Sequence, residues 1–239
     1  MHFDANRATL VASPSEMDAL VDHVAEHGAD SPIELWIDGG LTNYSGKEGG
    51  DSVLHPTVMG IAEVLGQPLR SVIIERFDGQ IAVPMFVAFD GRGRATITEG
   101  LGPDSLAVIA TDLTLLPTLL SQSLRLGGSA GYESSGEEVE TTVGALDAIM
   151  TGNELEEADE GLRRVIQSFS HAWRASGSFN AASTDLSLTV FATTLTGLWV
   201  VMNKPQAQAI DESTTITLRN VSRTEVLKVL GDVVTGRTS

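Results

Sequence analysis

Apolar residues recur at two spacings along this chain, and the spacing changes near Ser71. Residues 8–12 read as a short strand. Met17, Leu20, Val21 and Val24 then fall at i, i+3, i+4 and i+7, the single buried face of a helix. Ser13 as N-cap, Pro14 in the first turn and Glu16 as capping-box partner start that helix, and Gly28 stops it. The pattern predicts a short helix over 32–38, a glycine-rich loop over 39–51, and a helix opened by Pro56 that carries Val58, Ile61, Ala62 and Leu65. From Ser71 onward, β-branched and aromatic residues dominate. Residues 71–77, 81–89, 94–99 and 105–110 read as strands, the first two joined by Asp78-Gly79, a strong hairpin signal. A Leu-rich helix with Leu113, Leu116, Leu119, Leu120 and Leu124 follows.

The second part of the chain repeats the alternation. Ser135 and Glu138 spell a capping box for a helix carrying Val139, Val143, Leu146 and Met150, ended by Gly152. Asn153 and Glu156 start a longer helix that runs to about Trp173 on Leu162, Val165, Ile166 and Phe169. Strands are predicted over 185–194, 198–203 and 213–219, and a last helix over 222–234. Offsets of 106 and 108 residues superpose 81–91 on 187–197 and 105–120 on 213–228, with few identities beyond Gly91/Gly197, Ser105/Ser213 and Leu119/Leu227. The expectation is an α+β chain with one domain over 1–239: an N-terminal half to about 126, a Gly/Ser linker over 127–136, and a C-terminal half from 137.

Composition narrows the function. The chain has 32 acidic and 15 basic residues in 239, a net charge of −17, and only three of the bases are Lys. It presents no basic stripe for a phosphate backbone and no polybasic segment for an anionic membrane surface, so neither nucleic acid nor membrane insertion is expected. Zero Cys removes disulfides, thiolate catalysis and cysteine zinc sites. The first residues lack the pattern of a signal peptide, and the longest apolar run, 81–89, is too short to span a bilayer. A cytoplasmic protein is expected. The charge is uneven: residues 1–125 carry 17 acids and 7 bases, whereas 161–239 carry 5 acids and 8 bases, a net of +3.

Catalytic motifs are sparse. His23-Val24-Ala25-Glu26-His27 matches H-x-x-E-H, in which two His one helical turn apart share a zinc ion and the Glu serves as general base. Against it, Glu26 lies nearly opposite the apolar face, and the last turn of a helix suits His through the macrodipole alone. Gly127-Gly128-Ser129-Ala130-Gly131 matches G-x-S-x-G but follows a helix rather than a strand, and the sole downstream His is His171, placed mid-helix by the pattern. Gly46-Lys47 is followed by Glu48, not by the Ser or Thr of a phosphate loop. The acid-rich stretch 133–160 reads as solvated helix surface, with Glu160 and Arg164 as an i, i+4 pair. No enzyme activity and no cofactor are expected; a zinc peptidase on His23, Glu26 and His27 is the alternative.

The order of elements is more informative. Thr9-Leu10-Val11, then Pro14-Ser15-Glu16-Met17-Asp18-Ala19-Leu20 up to Gly28, resemble the opening strand and helix of the EspG family, cytosolic chaperones of type VII (ESX) secretion. Glu34-Leu35, Gly40-Leu41 and Leu54-His55-Pro56-Thr57-Val58 resemble that family's next passage, and Thr196-Gly197-Leu198-Trp199-Val200-Val201 its last hairpin. The chain departs from it at Leu198, where an Arg commonly stands, and in the short Asp78-Gly79 connection. The resemblance implies an antiparallel sheet flanked by two helical bundles in quasi-two-fold relation. It further implies a non-enzymatic chaperone or adaptor that binds the apolar tip of a helical PE–PPE-type heterodimer; a different client on the same fold is the other alternative. Such a surface needs apolar contact with few charges to desolvate. Phe191, Leu198, Trp199, Val201 and Met202, large apolar residues beside a Gly turn, are the candidates for it.

Overall fold

The computed structural model describes residues 1–28, 37–39, 41–43, 52–77, 82–126, 134–153, 160–178, 186–202 and 211–235. Among them the protein is mixed α+β, with an antiparallel sheet of eleven strands, a two-stranded ribbon and six helices. The chain divides into two compact units, Met1–Val72 with Pro84–Leu116, and Ile73–Val83 with Pro117–Ser239.

The first unit opens with β1 (His2–Asp4), β2 (Thr9–Ala12) and α1 (Pro14–His27). The capping box forms as the sequence requires: Glu16 N donates to Ser13 Oγ at 3.2 Å, and Ser13 N donates to the Glu16 carboxylate at 2.8 Å. Met17, Leu20 and Val24 are buried, and Gly28 ends the helix at φ 65°. A ribbon of β3 (Leu41–Asn43) and β4 (Ser52–Leu54) precedes α2 (Pro56–Gly66). β3 lies where the glycines predict only loop; pairing with β4 supplies the hydrogen bonds that its local composition does not encode. Then come β5 (Arg70–Phe77), β6 (Ala82–Phe89), β7 (Arg94–Gly102) and β8 (Ser105–Asp112), close to the expected bounds. The unit's strand order is β1-β2-β8-β7-β6. Leu10 of β2 faces Val108 of β8, and both join a core with Leu20, Val58 and Ile61 from the two helices.

The second unit carries most of α3 (Leu116–Ser123), then β9 (Glu138–Thr142), α4 (Val143–Thr151) and α5 (Glu160–Gln167). It continues through β10 (Phe169–Ser178), β11 (Leu186–Thr193), β12 (Gly197–Val201), β13 (Thr215–Val221) and α6 (Arg223–Thr235). Its strand order is β5-β10-β11-β12-β13-β9. Ala172, Phe191, Trp199 and Leu218 form one face and pack with Leu146, Ile149, Leu162 and Val165 of α4 and α5. On the alternate positions Trp173, Val190 and Val200 are also buried, and α6 lies against β10, β11 and β12. Both faces of this meander are therefore covered.

Two predicted helices are corrected. Residues 138–142 are strand, because Glu-Val-Glu-Thr-Thr alternates: Val139 and Thr141 are buried, while Glu138 and Glu140 face solvent. Thr142 caps α4 by accepting from Ala145 N, and Ser135 is engaged elsewhere. The long helix stops at Gln167, and Phe169, His171 and Trp173 belong to β10. Arg164 pairs with Glu137 at 2.8 Å rather than with Glu160. Most of the helix predicted over 32–38, the Asp78-Gly79 turn, the 127–131 motif, Gly46-Lys47 and the acids of 154–159 lie outside the described residues.

Candidate functional site

The H-x-x-E-H string falls on the last turns of α1. The rings of His23 and His27 stack with centroids 4.8 Å apart and planes 19° from parallel, and the exposed Glu26 carboxylate lies 4.0 Å from His27 Nδ1. Among the described residues no group of three or more His, Asp or Glu is arranged to hold a metal ion. His171 is buried on β10, its Nε2 3.0 Å from the Leu124 carbonyl oxygen and its Nδ1 3.1 Å from Ser170 Oγ.

The five candidate partner-binding residues separate by burial. Phe191, Leu198 and Trp199 are core, each no more than 3 % exposed, because helices cover both faces of the meander that carries them. Val201 is half-buried, and only Met202, one residue past β12, is exposed. The most exposed large apolar residue among those described stands between them in sequence: Leu195, at the tip of the β11–β12 turn, 71 % exposed.

This turn is held from several sides. Thr194 N donates to Ser168 O at 2.7 Å. Thr193 Oγ1 accepts from Thr196 N at 3.1 Å and donates to Gly197 O at 3.0 Å. Its single proton is thereby used, so the Thr196 hydroxyl donates to Thr193 Oγ1 across 2.8 Å and in turn accepts from Trp199 Nε1 at 3.0 Å. The amide of buried Asn220 closes the network. Its Nδ2 donates to Thr196 O at 2.7 Å and Leu198 O at 3.2 Å, and its Oδ1 accepts from Ser135 N and Oγ at 2.8 and 3.1 Å. Gly197 completes the turn at φ 85°, a left-handed conformation that glycine adopts without penalty. The result is an apolar side chain in water on a fixed backbone, an arrangement that loses little entropy on binding. Sequence reasoning reached this region but passed over Leu195 itself, which belongs to no periodic run. The available signal was a lone Leu between threonines in a turn, Thr194-Leu195-Thr196-Gly197.

The turn between β6 and β7 is built differently. The Asp90 carboxylate accepts from the backbone N–H groups of Arg92 and Arg94 at 2.9 and 3.0 Å and from Arg94 Nε at 2.8 Å. Arg94 Nη2 lies 2.6 Å from Asp90, and its Nη1 2.5 Å from Glu63 of α2. Burial pushes the Asp90 carboxyl up, but the Arg94 side chain and these two backbone donors outweigh it and hold the group below its ordinary 3.8. No protein-family model matches the chain, and no curated protein matches it.

Proposed function

We propose that the protein is a non-enzymatic chaperone or adaptor of the kind the EspG resemblance implies, and that it engages a helical client through the Leu195 turn. The observation that carries this reading is an exposed Leu on a backbone fixed by Thr193, Thr196, Trp199 and Asn220. A few well-packed anchors at the centre of an interface supply most of its energy, and a backbone already ordered beneath them lowers the cost of binding. The internal duplication belongs to the same reading. A strand, two helices with the β3–β4 ribbon between them, four strands in meander order and a helix run from β2 to α3, and the described elements from β9 to α6 follow the same order without such a ribbon. The hydroxyls of Thr193 and Thr196, the His171 ring and the Asn220 amide all serve hydrogen bonds that hold structure. Affinity purification from the native host tests the client. A stoichiometric helical PE–PPE-type pair in the eluate supports the assignment; its absence removes it. Stoichiometric zinc in the purified protein, lost in His23→Ala, would overturn the non-enzymatic reading.

A further inference from the structure

The first unit contains a cleft of about 550 Å³, in the range that small ligands occupy, between the last turns of α1, the C-terminal half of α2 and the β6–β7 turn. Val21, Val24 and Ala62 give it an apolar floor. Gly66 lets the two helices approach there, since a side chain at this position would press on Val21 at 3.0 Å.

The charged groups of the cleft fall into two sets. Asp90, Glu63 and Arg94 are committed to one another at 2.5–2.8 Å. Arg92 and Asp22 are not. Arg92 Nη1 reaches Glu63 only at 3.5 Å, on the same oxygen that Arg94 already holds, and its side chain is 75 % exposed. Its backbone is nevertheless fixed, because its N–H donates to Asp90. Asp22, on α1, is exposed and makes no hydrogen bond or ion pair among the described residues. An occupant that satisfies both must carry both signs.

We propose that this cleft binds a small zwitterion with an apolar body, Arg92 taking its carboxylate, Asp22 its ammonium group, and the floor its apolar part. A free apolar amino acid and an apolar dipeptide share this chemistry. Calorimetric titration of the whole protein with L-leucine and with L-leucyl-L-leucine tests it, beside 4-methylpentanoate, which lacks the ammonium group, and leucinamide, which lacks the carboxylate. At least one zwitterion should bind saturably, one per chain, below about 10 mM. Each single-charge analogue, and each of Arg92→Gln and Asp22→Asn, should weaken binding about tenfold or more. Both positions are exposed, so an unchanged melting temperature separates lost binding from lost folding. Preference for leucine identifies the free amino acid, and preference for leucyl-leucine the dipeptide. The proposal is overturned if neither zwitterion saturates the protein, if a single-charge analogue binds equally well, or if either variant keeps wild-type affinity.

Discussion

The two meander turns, Asp90–Arg94 and Thr193–Gly197, close comparable hairpins by opposite means. The first is fixed by a carboxylate that gathers two backbone N–H groups and a guanidinium. The second is fixed by two threonine hydroxyls, an indole N–H and a buried amide, with no ionised group. An ionic turn depends on pH and leaves charge at the surface, where it borders a cleft. A neutral network is indifferent to both pH and salt, and the side chain at its tip can be apolar because the turn needs nothing from it. On the readings proposed above, the two turns serve separate tasks: one borders a ligand-sized cleft in its unit, and the other carries an apolar contact point on a fixed backbone.

Substitutions can break this contrast, beginning with the largest expected effect. Asn220→Ala removes the amide that joins the 194–197 turn to Ser135 and leaves buried partners unsatisfied. It should cost about 3 kcal/mol in urea denaturation. Asp90→Asn leaves Arg94 with Glu63 alone. Arg94 is one-third exposed, so the cost should be about 2 kcal/mol rather than that of a fully buried pair.

The same variant tests the pH contrast. The folded Asp90 carboxyl lies below its ordinary 3.8, so its stabilisation is complete above that value and disappears as pH falls through the folded one. Wild type should therefore lose more stability below about pH 4 than Asp90→Asn does. Parallel acid-unfolding curves for the two proteins would contradict the ionic account of the first turn. Thr193→Val deletes the shared hydroxyl of the second turn and should cost about 1 kcal/mol, with no change in pH or salt dependence.

Much of the fold was legible because its signals are local. The Ser13 capping box and the alternation of β5 and β13 are each specified within a few residues. The errors arose where a local pattern fitted two structures. Ser135 and Glu138 spell a capping box, yet Ser135 spends its N–H and hydroxyl on Asn220, 85 positions away, and Val139 pairs across from Leu218. Phe169 and Trp173 extend the helical spacing of Val165 and Ile166, but β10 is buried on both faces, so it lacks the polar alternation that marks a strand. The same double burial misled the choice of site residues. Phe191, Leu198 and Trp199 are apolar because each faces a helix-covered core, while Leu195 gave no periodic signal. The Arg94 pairing with Glu63 joins positions 31 residues apart, and nothing in the local sequence announced it.

The central claim is that Leu195 is the client anchor, and the affinity of the purified client pair for Leu195→Glu tests it most directly. Leu195 is 71 % exposed, so the substitution should leave folding stability within about 0.5 kcal/mol of wild type. The account predicts at least about a tenfold loss of affinity for Leu195→Glu and none for Asp90→Asn, whose turn belongs to the other unit. Wild-type affinity in a folded Leu195→Glu protein would contradict it.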